Sequence, residues 1–284
     1  AAYWKRLLEI KPLKGQCTKE HFSTETWHDS YHGAILFRGN NRISSWCWKS
    51  AEPPQGLCLP SGRSDMAEWR NNCAGQIIGQ GRQNNQTAIR YKEYLFKGGF
   101  STIGTTELSS LGFFEGQTDE IMGTNNIAFT VLPDDVTAIV IQKCVSSPRR
   151  IYFNEVKGFF YNMPNDIFNG SVRRYSSACG SFETIGGNNG REEIIDTKSL
   201  WLNVDGCLGF IGVYGAESFF ICRPPKRQAG LKLGQYEKKV ISTGLWIDEV
   251  CFPFIKGPFS ADANSVVFDI GCIILTGTDS KTTS

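Results

Sequence analysis

Most of the chain after His32 consists of short apolar or alternating segments separated by glycine, proline and asparagine. Residues 33–38 and 42–48, for example, flank an Asn-rich turn, and such alternation around turn residues is typical of paired antiparallel strands. We expect further strands along the rest of the chain. They lie at residues 126–132, 136–145, 150–156, 158–162, 199–204, 208–214, 218–222, 244–254 and 265–276.

Two short segments between these strands have the chemistry of tight turns. In residues 133–135 (Pro-Asp-Asp) the proline presets one backbone dihedral, and in residues 204–207 (Val-Asp-Gly-Cys) the glycine accepts a positive φ. Each turn joins two consecutive strand candidates. We therefore predict that these neighbouring strands pair in an antiparallel manner.

Helical spacing of apolar residues is confined to the start of the chain, at residues 3–11, and ends at Pro12. We predict that residues 1–27 form a helix and a linker, the remnant of a preceding helical domain, and that residues 28–284 form one β-sandwich domain. Because the strands follow one another without helices between them, the fold class is mainly β. We expect a large, supersandwich-like antiparallel β-sandwich with a short N-terminal helix.

The composition excludes several classes of function. Of the 284 residues 40% are hydrophobic, which is enough for a substantial core. Thirty Lys and Arg against 28 Asp and Glu give a net charge of +2, too weak a field to predict nucleic acid or an anionic membrane as partner. No apolar run approaches the roughly 20 residues of a membrane helix. The oligomeric state is left open.

The ten cysteines are spread along the chain, several of them inside apolar segments, and no Cys-x-x-Cys motif occurs. This pattern is typical of buried thiols, and it does not suggest a disulfide framework or a zinc ribbon. It favours a cytoplasmic location, while a secreted or periplasmic one stays open. The sequence predicts no metal and no cofactor.

The three histidines, His21, His28 and His32, lie close together in the sequence. His28 and His32 would share one face of a helix, but the segment between them is poorly helical and lacks the glutamate of a zinc hydrolase, so no zinc site is predicted. The simplest interpretation is a set of structural histidines. Alternatively, His32 and its neighbour Tyr31 form a catalytic acid–base pair, since both side chains can exchange protons.

The segment from Trp46 to Asn72 combines turn residues with side chains that recognise polar ligands. Its indoles could stack on the apolar faces of sugar rings, and its charged and amide groups could hydrogen-bond to hydroxyls or to a uronate carboxylate. The opposing interpretation places the tryptophans in the core and pairs the charges on a surface. The candidate binding residues are Trp46, Trp48, Arg63, Asp65, Glu68, Trp69, Arg70 and Asn71.

The order of these segments resembles the sandwich of heparinase II/III-type polysaccharide lyases. In that family a histidine-bearing strand leads to a Ser-Arg segment and then to an aromatic and polar loop, which residues 32–37, 42–45 and 68–72 resemble. Later segments are similar in outline. They are residues 98–104, 126–129, 134–140 and 201–209.

The resemblance implies proton abstraction from a uronic acid followed by elimination, with Tyr31 and His32 as base and acid and an Asn or Arg neutralising the carboxylate. It also implies a helical toroid before the sandwich, and residues 3–11 are the one counterpart of it here. A sandwich without its toroid is expected to be half of an enzyme, or a relative retained for binding or assembly.

Three functional hypotheses follow. The leading one is a carbohydrate-associated β-sandwich domain, the C-terminal part of a polysaccharide-processing protein, that binds polysaccharides or oligosaccharides in a groove built from residues 46–72. The second is a compact enzyme, a lyase more than a glycosidase, that uses His32 and Tyr31 with Arg63 or Arg70. The third is a structural or oligomer-forming domain without a ligand.

Overall fold

The structure is a computed structural model, and it describes most of the chain. The described residues are 25–49, 54–66, 72–81, 83–111, 120–165, 170–186, 191–223, 228–231, 239–242 and 247–284. The predicted N-terminal helix at residues 3–11, and with it nearly all of the predicted first segment 1–27, lies outside the described residues.

Strands make up most of this part of the chain. They are β1 (Glu25–Asp29), β2 (Ala34–Arg38), β3 (Arg42–Cys47), β4 (Gln55–Pro60), β5 (Gln76–Gly79), β6 (Gln83–Phe96), β7 (Gly99–Leu111), β8 (Glu120–Val131), β9 (Thr137–Ser146), β10 (Ile151–Pro164), β11 (Val172–Ser177), β12 (Gly180–Ile185), β13 (Glu193–Asp196), β14 (Trp201–Val204), β15 (Leu208–Tyr214), β16 (Phe220–Arg223), β17 (Gln228–Leu231), β18 (Lys239–Ser242), β19 (Ile247–Ala261) and β20 (Val266–Thr276). A 3₁₀ turn spans Ser64–Met66, and a short helix, α1, spans Ser280–Thr283.

The strands form three sizeable antiparallel sheets and one hairpin. The largest sheet has nine strands in the order β12-β11-β14-β15-β20-β9-β8-β7-β6. A five-stranded sheet has the order β13-β16-β19-β10-β5, a four-stranded sheet runs from β1 to β4, and β17 pairs with β18. In the described part of the chain, no helix is long and apolar enough to cross a membrane.

The four-stranded and five-stranded sheets both pack against the inner face of the nine-stranded sheet. Trp46 of β3 stacks on Phe129 of β8 at 5.1 Å between ring centroids, and Phe159 of β10 contacts Phe210 of β15 at 5.5 Å. These rings belong to one continuous cluster of buried side chains. Removal of this apolar surface from water is the main stabilising contribution.

The predicted fold class is confirmed, since the chain is mainly β and its sheets are antiparallel. Both predicted turns join antiparallel neighbours: residues 133–135 connect β8 to β9, and residues 204–207 connect β14 to β15. In the second turn Asp205 and Gly206 have φ values of 51° and 67°. Two successive positive φ angles are typical of a type I′ turn, whose twist matches that of the strands, and the Cys207 N–H closes this turn by donating to Val204 O at 3.1 Å.

The strand pattern differs from the prediction in several places, since β1, β4, β5, β11 to β13, β17 and β18 were not predicted. Residues 150–156 and 158–162 belong to one strand, β10, because Gly158 does not break it. A Cβ atom at Gly158 would lie 2.7 Å from the carbonyl oxygen of Phe252, so the glycine permits close approach of β19. Strands β6 and β7 were not predicted, and inward-facing Thr102 and Thr106 on β7 explain why the alternation of apolar residues is weak there.

Buried arginine side chains tie the layers together by hydrogen bonds. Arg42 of β3 is fully buried and donates from Nη1 to the carbonyl oxygen of Thr137 at 2.7 Å and from Nη2 to that of Leu132 at 2.6 Å. Both acceptors flank the turn between β8 and β9. The guanidinium also lies 5.2 Å from the ring centroid of Phe37. Arg42 thus attaches the four-stranded sheet to the nine-stranded one.

Replacement of Arg42 by methionine should lower the free energy of unfolding by about 2–4 kcal/mol, since two buried carbonyl groups lose their donors. Urea denaturation followed by tryptophan fluorescence would measure this. Arg174→Met is the matched control, because the Arg174 side chain is 75% exposed and contacts Glu183 at the surface. Equal stability losses in the two variants would contradict the role of Arg42.

Candidate functional site

The predicted acid–base pair lies in the turn between β1 and β2. Asp29 accepts hydrogen bonds at Oδ1 from the backbone N–H groups of Tyr31 and His32, both at 3.0 Å, and Oδ2 lies 2.6 Å from His32 Nδ1. The hydrogen bond from His32 lowers the pKa of Asp29. The rings of Tyr31 and His32 meet edge to face at 4.8 Å. The structure therefore brings these two residues together, on a turn where both are exposed.

An ionised carboxylate at Nδ1 fixes one tautomer of histidine and leaves Nε2 able to accept a proton. The side chain of His32 is 57% exposed, and Tyr31 is more exposed still. Solvent reaches both groups. The turn therefore contains two side chains that can exchange protons, but no surrounding residues in the described part of the chain exclude water from them, as those of a cleft do in many active sites. The cleft described below does not include them.

Trp46 and Trp48 do not offer ring faces to a ligand. Trp46 has no exposed surface and Trp48 is 9% exposed. Trp46 stacks on Phe129, and Trp48 stacks on Tyr91 at 6.0 Å. The prediction that these two indoles stack on sugar is corrected: they fill the space between the four-stranded and nine-stranded sheets. Glu68, Trp69, Arg70 and Asn71, predicted alongside them, lie outside the described residues.

Arg63 and Asp65 are used by the fold, in a network of two arginines and two carboxylates. Arg63 donates to both oxygens of Asp65, at 2.9 and 3.1 Å, and to Asp205 Oδ2 at 3.1 Å. Arg173 of β11, which is fully buried, donates from Nη1 to Asp65 Oδ2 at 3.1 Å and to Asp205 Oδ2 at 2.5 Å. This network fastens the segment after β4 to β11 and to the β14–β15 turn.

The charges in this network shift one another's pKa values. Burial alone would raise the pKa of Asp65, but hydrogen bonds from Arg63 and the positive charges of Arg63 and Arg173 outweigh it and lower the pKa. Hydrogen bonding to Asp65 raises the pKa of Arg63. Both partners remain charged at neutral pH, so the predicted substrate contacts of Arg63 and Asp65 compete with contacts inside the protein.

A cleft of about 560 Å³ opens at a different place, lined by residues of β13, β16 and β19, of the segment after β15 and of β20. Its apolar wall includes Phe220, Pro253, Ile255 and Phe268. Phe268 is 5% exposed, while Ile255 is 37% exposed. An apolar wall that is partly open to solvent is typical of ligand sites.

The rim of this cleft is polar and carries three charged side chains, Asp196, Lys198 and Glu217. Asp196 ends β13 and accepts hydrogen bonds at Oδ1 from Ser218 Oγ at 2.7 Å and from the Lys198 backbone N–H at 3.0 Å. Lys198 Nζ pairs with Asp196 Oδ2. We name this set, Asp196, Lys198, Glu217 and Ser218, the polar rim.

Asp196 remains ionised in this setting. Burial alone would raise its pKa, but hydrogen bonds from the Lys198 side chain and backbone and from Ser218 are stronger and lower the pKa. The hydrogen bond to Asp196 raises the pKa of Lys198. The rim therefore presents fixed acceptors and one ammonium group beside an apolar wall, an arrangement suited to hydroxyl groups on a partly apolar ring.

The sequence does not predict this cleft. Residues 199–204, 208–214 and 218–222 have the pattern of scaffold strands, and that pattern does not indicate which strand ends lie close together. The available signal was the run Gly215-Ala216-Glu217-Ser218 between two strands, where a glycine at φ 94° opens the turn. Among the described residues, no cluster of three His, Cys, Asp or Glu side chains could hold a metal ion.

Comparison with known proteins gives matches in fold only. No family model and no curated protein matches the chain. Among solved structures it is similar to the α-galactosidase from Lactobacillus brevis, with a TM-score of 0.50, 9% sequence identity and coverage of 87% of this chain and 40% of that chain.

Two further solved structures are similar to the chain. One is the galactosidase domain of the α-galactosidase–sucrose kinase AgaSK, with TM-score 0.50, 8% identity and coverage of 90% of this chain and 42% of that chain. The other is the GH36 α-galactosidase AgaB from Geobacillus stearothermophilus, with TM-score 0.53, 6% identity and coverage of 90% and 41%.

The chain thus spans about two fifths of the length of these neighbours. At such identities the similarity establishes a shared β-sandwich fold. The proteins that share it are, by their descriptions, galactosidases and not lyases, so the heparinase-type resemblance is not supported.

The charge network around Asp65 generates a pH prediction. A carboxylate with a lowered pKa in the folded state stabilises the protein above its ordinary value of about 3.9, and this contribution disappears as the pH falls through the lower folded value. Asp65→Asn should therefore lose about 1–2 kcal/mol of stability at pH 7, and its stability should fall less than that of the unmodified protein below about pH 4.

Urea titrations at a series of pH values would measure both effects. Asp262→Asn is the control, since the Asp262 side chain is 84% exposed and its pairing with Arg150 is at the surface. If Asp65→Asn and the unmodified protein lost stability in parallel on acidification, the ionisation of Asp65 would not contribute to the fold.

Proposed function

We propose that this chain is the β-sandwich domain of a carbohydrate-active protein and that it binds a sugar chain in the cleft between the polar rim and Phe220, Pro253, Ile255 and Phe268. The observation that carries the proposal is the cleft itself, an apolar wall beside fixed hydrogen-bond acceptors. The fold shared with galactosidases supports the link to carbohydrates.

The chemistry of sugars matches this lining. A pyranose ring has a face of C–H groups that packs on apolar side chains and an edge of hydroxyl groups that needs hydrogen-bond partners. Ile255 and Phe220 supply the apolar surface, and Glu217 and Lys198 at the rim are exposed. A volume of about 560 Å³ lies within the range of small-molecule sites, so the cleft has room for one or a few sugar rings.

The polar rim is better suited to binding a sugar than to cleaving a glycosidic bond. A glycosidase acid must hold a proton at neutral pH and therefore needs a raised pKa. The pKa of Asp196 is lowered, and Oδ1 already accepts hydrogen bonds from Ser218 and Lys198. Asp196 thus acts as a fixed acceptor.

Titration calorimetry with methyl α-galactoside, α-linked galacto-oligosaccharides and uronate oligosaccharides would test the proposal. We expect saturable binding with a dissociation constant near the millimolar range, about −4 kcal/mol. Ile255→Ser and Glu217→Ala should each weaken binding at least about fivefold, which corresponds to roughly 1 kcal/mol. Ile255→Ser removes part of the apolar wall, and Glu217→Ala removes a hydrogen-bond acceptor at the rim.

Ile103→Ser is the matched control, because Ile103 is a similarly exposed isoleucine, 53%, on β7 and does not line the cleft. It should leave the affinity unchanged. The absence of a saturable response to every one of these sugars would contradict the proposal and leave the scaffold hypothesis. Binding that survives in Ile255→Ser and Glu217→Ala would place the sugar elsewhere on the domain.

A second candidate function is acid–base catalysis on a polysaccharide, and the contact between His32 and Asp29 favours it. In this hypothesis Tyr31 and His32 exchange protons with the sugar, either in elimination or in hydrolysis. Alginate, heparan and pectic polymers should then give unsaturated products that absorb ultraviolet light, or new reducing ends, and His32→Ala should abolish them.

His28→Ala is the control for this experiment, since His28 contacts Glu93 at 3.3 Å and lies outside the Asp29–His32 pair. Formation of no product from any polymer would contradict the enzyme hypothesis.

We also propose that the chain is the C-terminal part of a longer polysaccharide-processing protein, that a helical domain precedes it and that the protein is located in the cytoplasm.

A further inference from the structure

We propose that Cys222 and Cys251 are a dithiol pair that closes to a disulfide and so locks β16 to β19. Their Sγ atoms lie 3.8 Å apart. The proposal stands on this contact and on the position of the two residues in one sheet, and it does not depend on the sugar-binding proposal.

The register places both side chains on the same face of neighbouring strands. Phe220 of β16 is opposite Cys251 of β19, and Cys222 is opposite Glu249. Since residues two apart on a strand share a face, Cys222 and Cys251 are diagonal neighbours. Diagonal neighbours have Cα atoms about 7–8 Å apart, somewhat more than the roughly 4.4–6.8 Å of most disulfides, so closure requires the two strands to shift toward each other.

The pair lies in a small apolar cluster of its own, separate from the main core. Cys222 is 2% exposed and Cys251 is fully buried. Phe160 completes the cluster, and Phe220 and Phe254 pack against it. The two sulfur atoms must approach from 3.8 Å to about 2.05 Å to form the bond. This change is within reach of side-chain rotation combined with a small shift of a four-residue strand.

Closure by a small disulfide such as oxidised glutathione proceeds in two balanced steps. The thiolate of one cysteine attacks a glutathione sulfur, which forms a mixed disulfide and releases one glutathione thiolate that takes up a proton. The second cysteine loses its proton and attacks the protein sulfur of that mixed disulfide, which releases the second glutathione. Two protein thiols are oxidised, and one glutathione disulfide is reduced to two thiols.

Burial controls how fast the first step occurs. Burial and the hydrogen bond to Cys222 raise the pKa of Cys251. Lys157 Nζ, which lies 5.4 Å from the Phe160 ring centroid, opposes the rise but does not outweigh it. The reactive thiolate therefore forms rarely while the strands are closed, and exchange requires transient opening of β16.

Closure would stiffen one wall of the cleft. Phe220 lies opposite Cys251 and lines the cleft, and Pro253, two residues beyond Cys251, lines it as well. The bond would close a loop between positions that are 29 residues apart. A loop of that size loses enough conformational freedom in the unfolded chain to raise the melting temperature by roughly 3–10 °C.

The experiment uses the full chain, first reduced and then incubated with oxidised glutathione under native conditions. Free thiols are blocked with N-ethylmaleimide in acid quench, and non-reducing peptide mapping by mass spectrometry locates any disulfide. We expect a peptide that joins Cys222 to Cys251, faster closure at higher pH, and a higher melting temperature that dithiothreitol reverses. Hydrogen exchange at β16 should slow in the oxidised protein.

Cys222→Ser and Cys251→Ser should each abolish the cross-linked peptide and the thermal shift. Cys144→Ser is the matched control, because Cys144 is buried in the nine-stranded sheet, and it should retain both. Melting of each reduced variant separates a folding defect from loss of the bond. Mixed disulfides alone, pairing with a different cysteine, or both thiols still free after prolonged oxidation in moderate urea would overturn the proposal.

Discussion

The three sheets depend on one buried turn, residues 72–75, whose backbone groups lie between layers from which water is excluded. A buried carbonyl or N–H without a partner costs roughly 1–3 kcal/mol. Each sheet supplies a partner to this turn. The contacts are Gln142 Nε2 to Cys73 O at 2.5 Å, Asn125 Nδ2 to Ala74 O at 3.2 Å, Cys73 N to Phe160 O at 2.7 Å, Asn162 N to Asn72 Oδ1 at 2.8 Å and Gly56 N to Asn72 O at 2.7 Å.

These partners explain why polar residues occur in the middle of the core. Asn125 and Gln142 are almost completely buried on β8 and β9, where apolar side chains would leave the turn's carbonyls unpaired. The chain at the turn adopts left-handed conformations, with φ of 64° at Cys73 and 76° at Gly75. A Cβ on Gly75 would lie 2.3 Å from the carbonyl oxygen of Gly158, so only glycine fits between the layers.

The position of the turn also explains where a cleft can open. It binds β10 on one side and β8 and β9 on the other, so the two layers are held together there. In the five-stranded sheet the cleft lies beyond β10, at β19, β16 and β13, and in the nine-stranded sheet it lies beyond β9, at β20 and the segment that follows β15. Polar contacts also join the two sheets at β11 and β19, where Tyr175 Oη donates to Asp248 Oδ2 at 3.0 Å.

The sequence was sufficient for the fold class and several strands because alternation and turn chemistry are local signals. Strand β15 and the hairpin turn at residues 204–207, with a positive φ at Gly206, were predicted correctly for that reason. The cleft is not local. Its lining comes from four separate segments, which contain Asp196, Ser218, Ile255 and Phe268. No short sequence motif indicates that these residues lie close together in the fold. The local sequence also does not show whether a tryptophan is buried or binds a ligand, because the burial of Trp46 depends on a sheet that packs over it.

Several charged residues stabilise the fold by contacts inside the protein, as Arg63 and Asp65 do. Arg42, Arg173 and Lys157 are buried and each has acceptors: backbone carbonyls for Arg42, carboxylates for the other two. A buried cation without partners is strongly unfavourable, so a folded sheet protein retains such residues only inside networks. The neighbours Asp248 and Glu249 follow the same principle.

On a strand, adjacent side chains point to opposite faces, so Asp248 and Glu249 cannot act as one pair. Asp248 accepts hydrogen bonds from Tyr175 at 3.0 Å and Arg223 at 3.1 Å, while Glu249 pairs with Lys157 at 2.7 Å on the face that also carries Cys251. Strand β19 therefore connects a buried ion network, a thiol pair and a wall of the cleft.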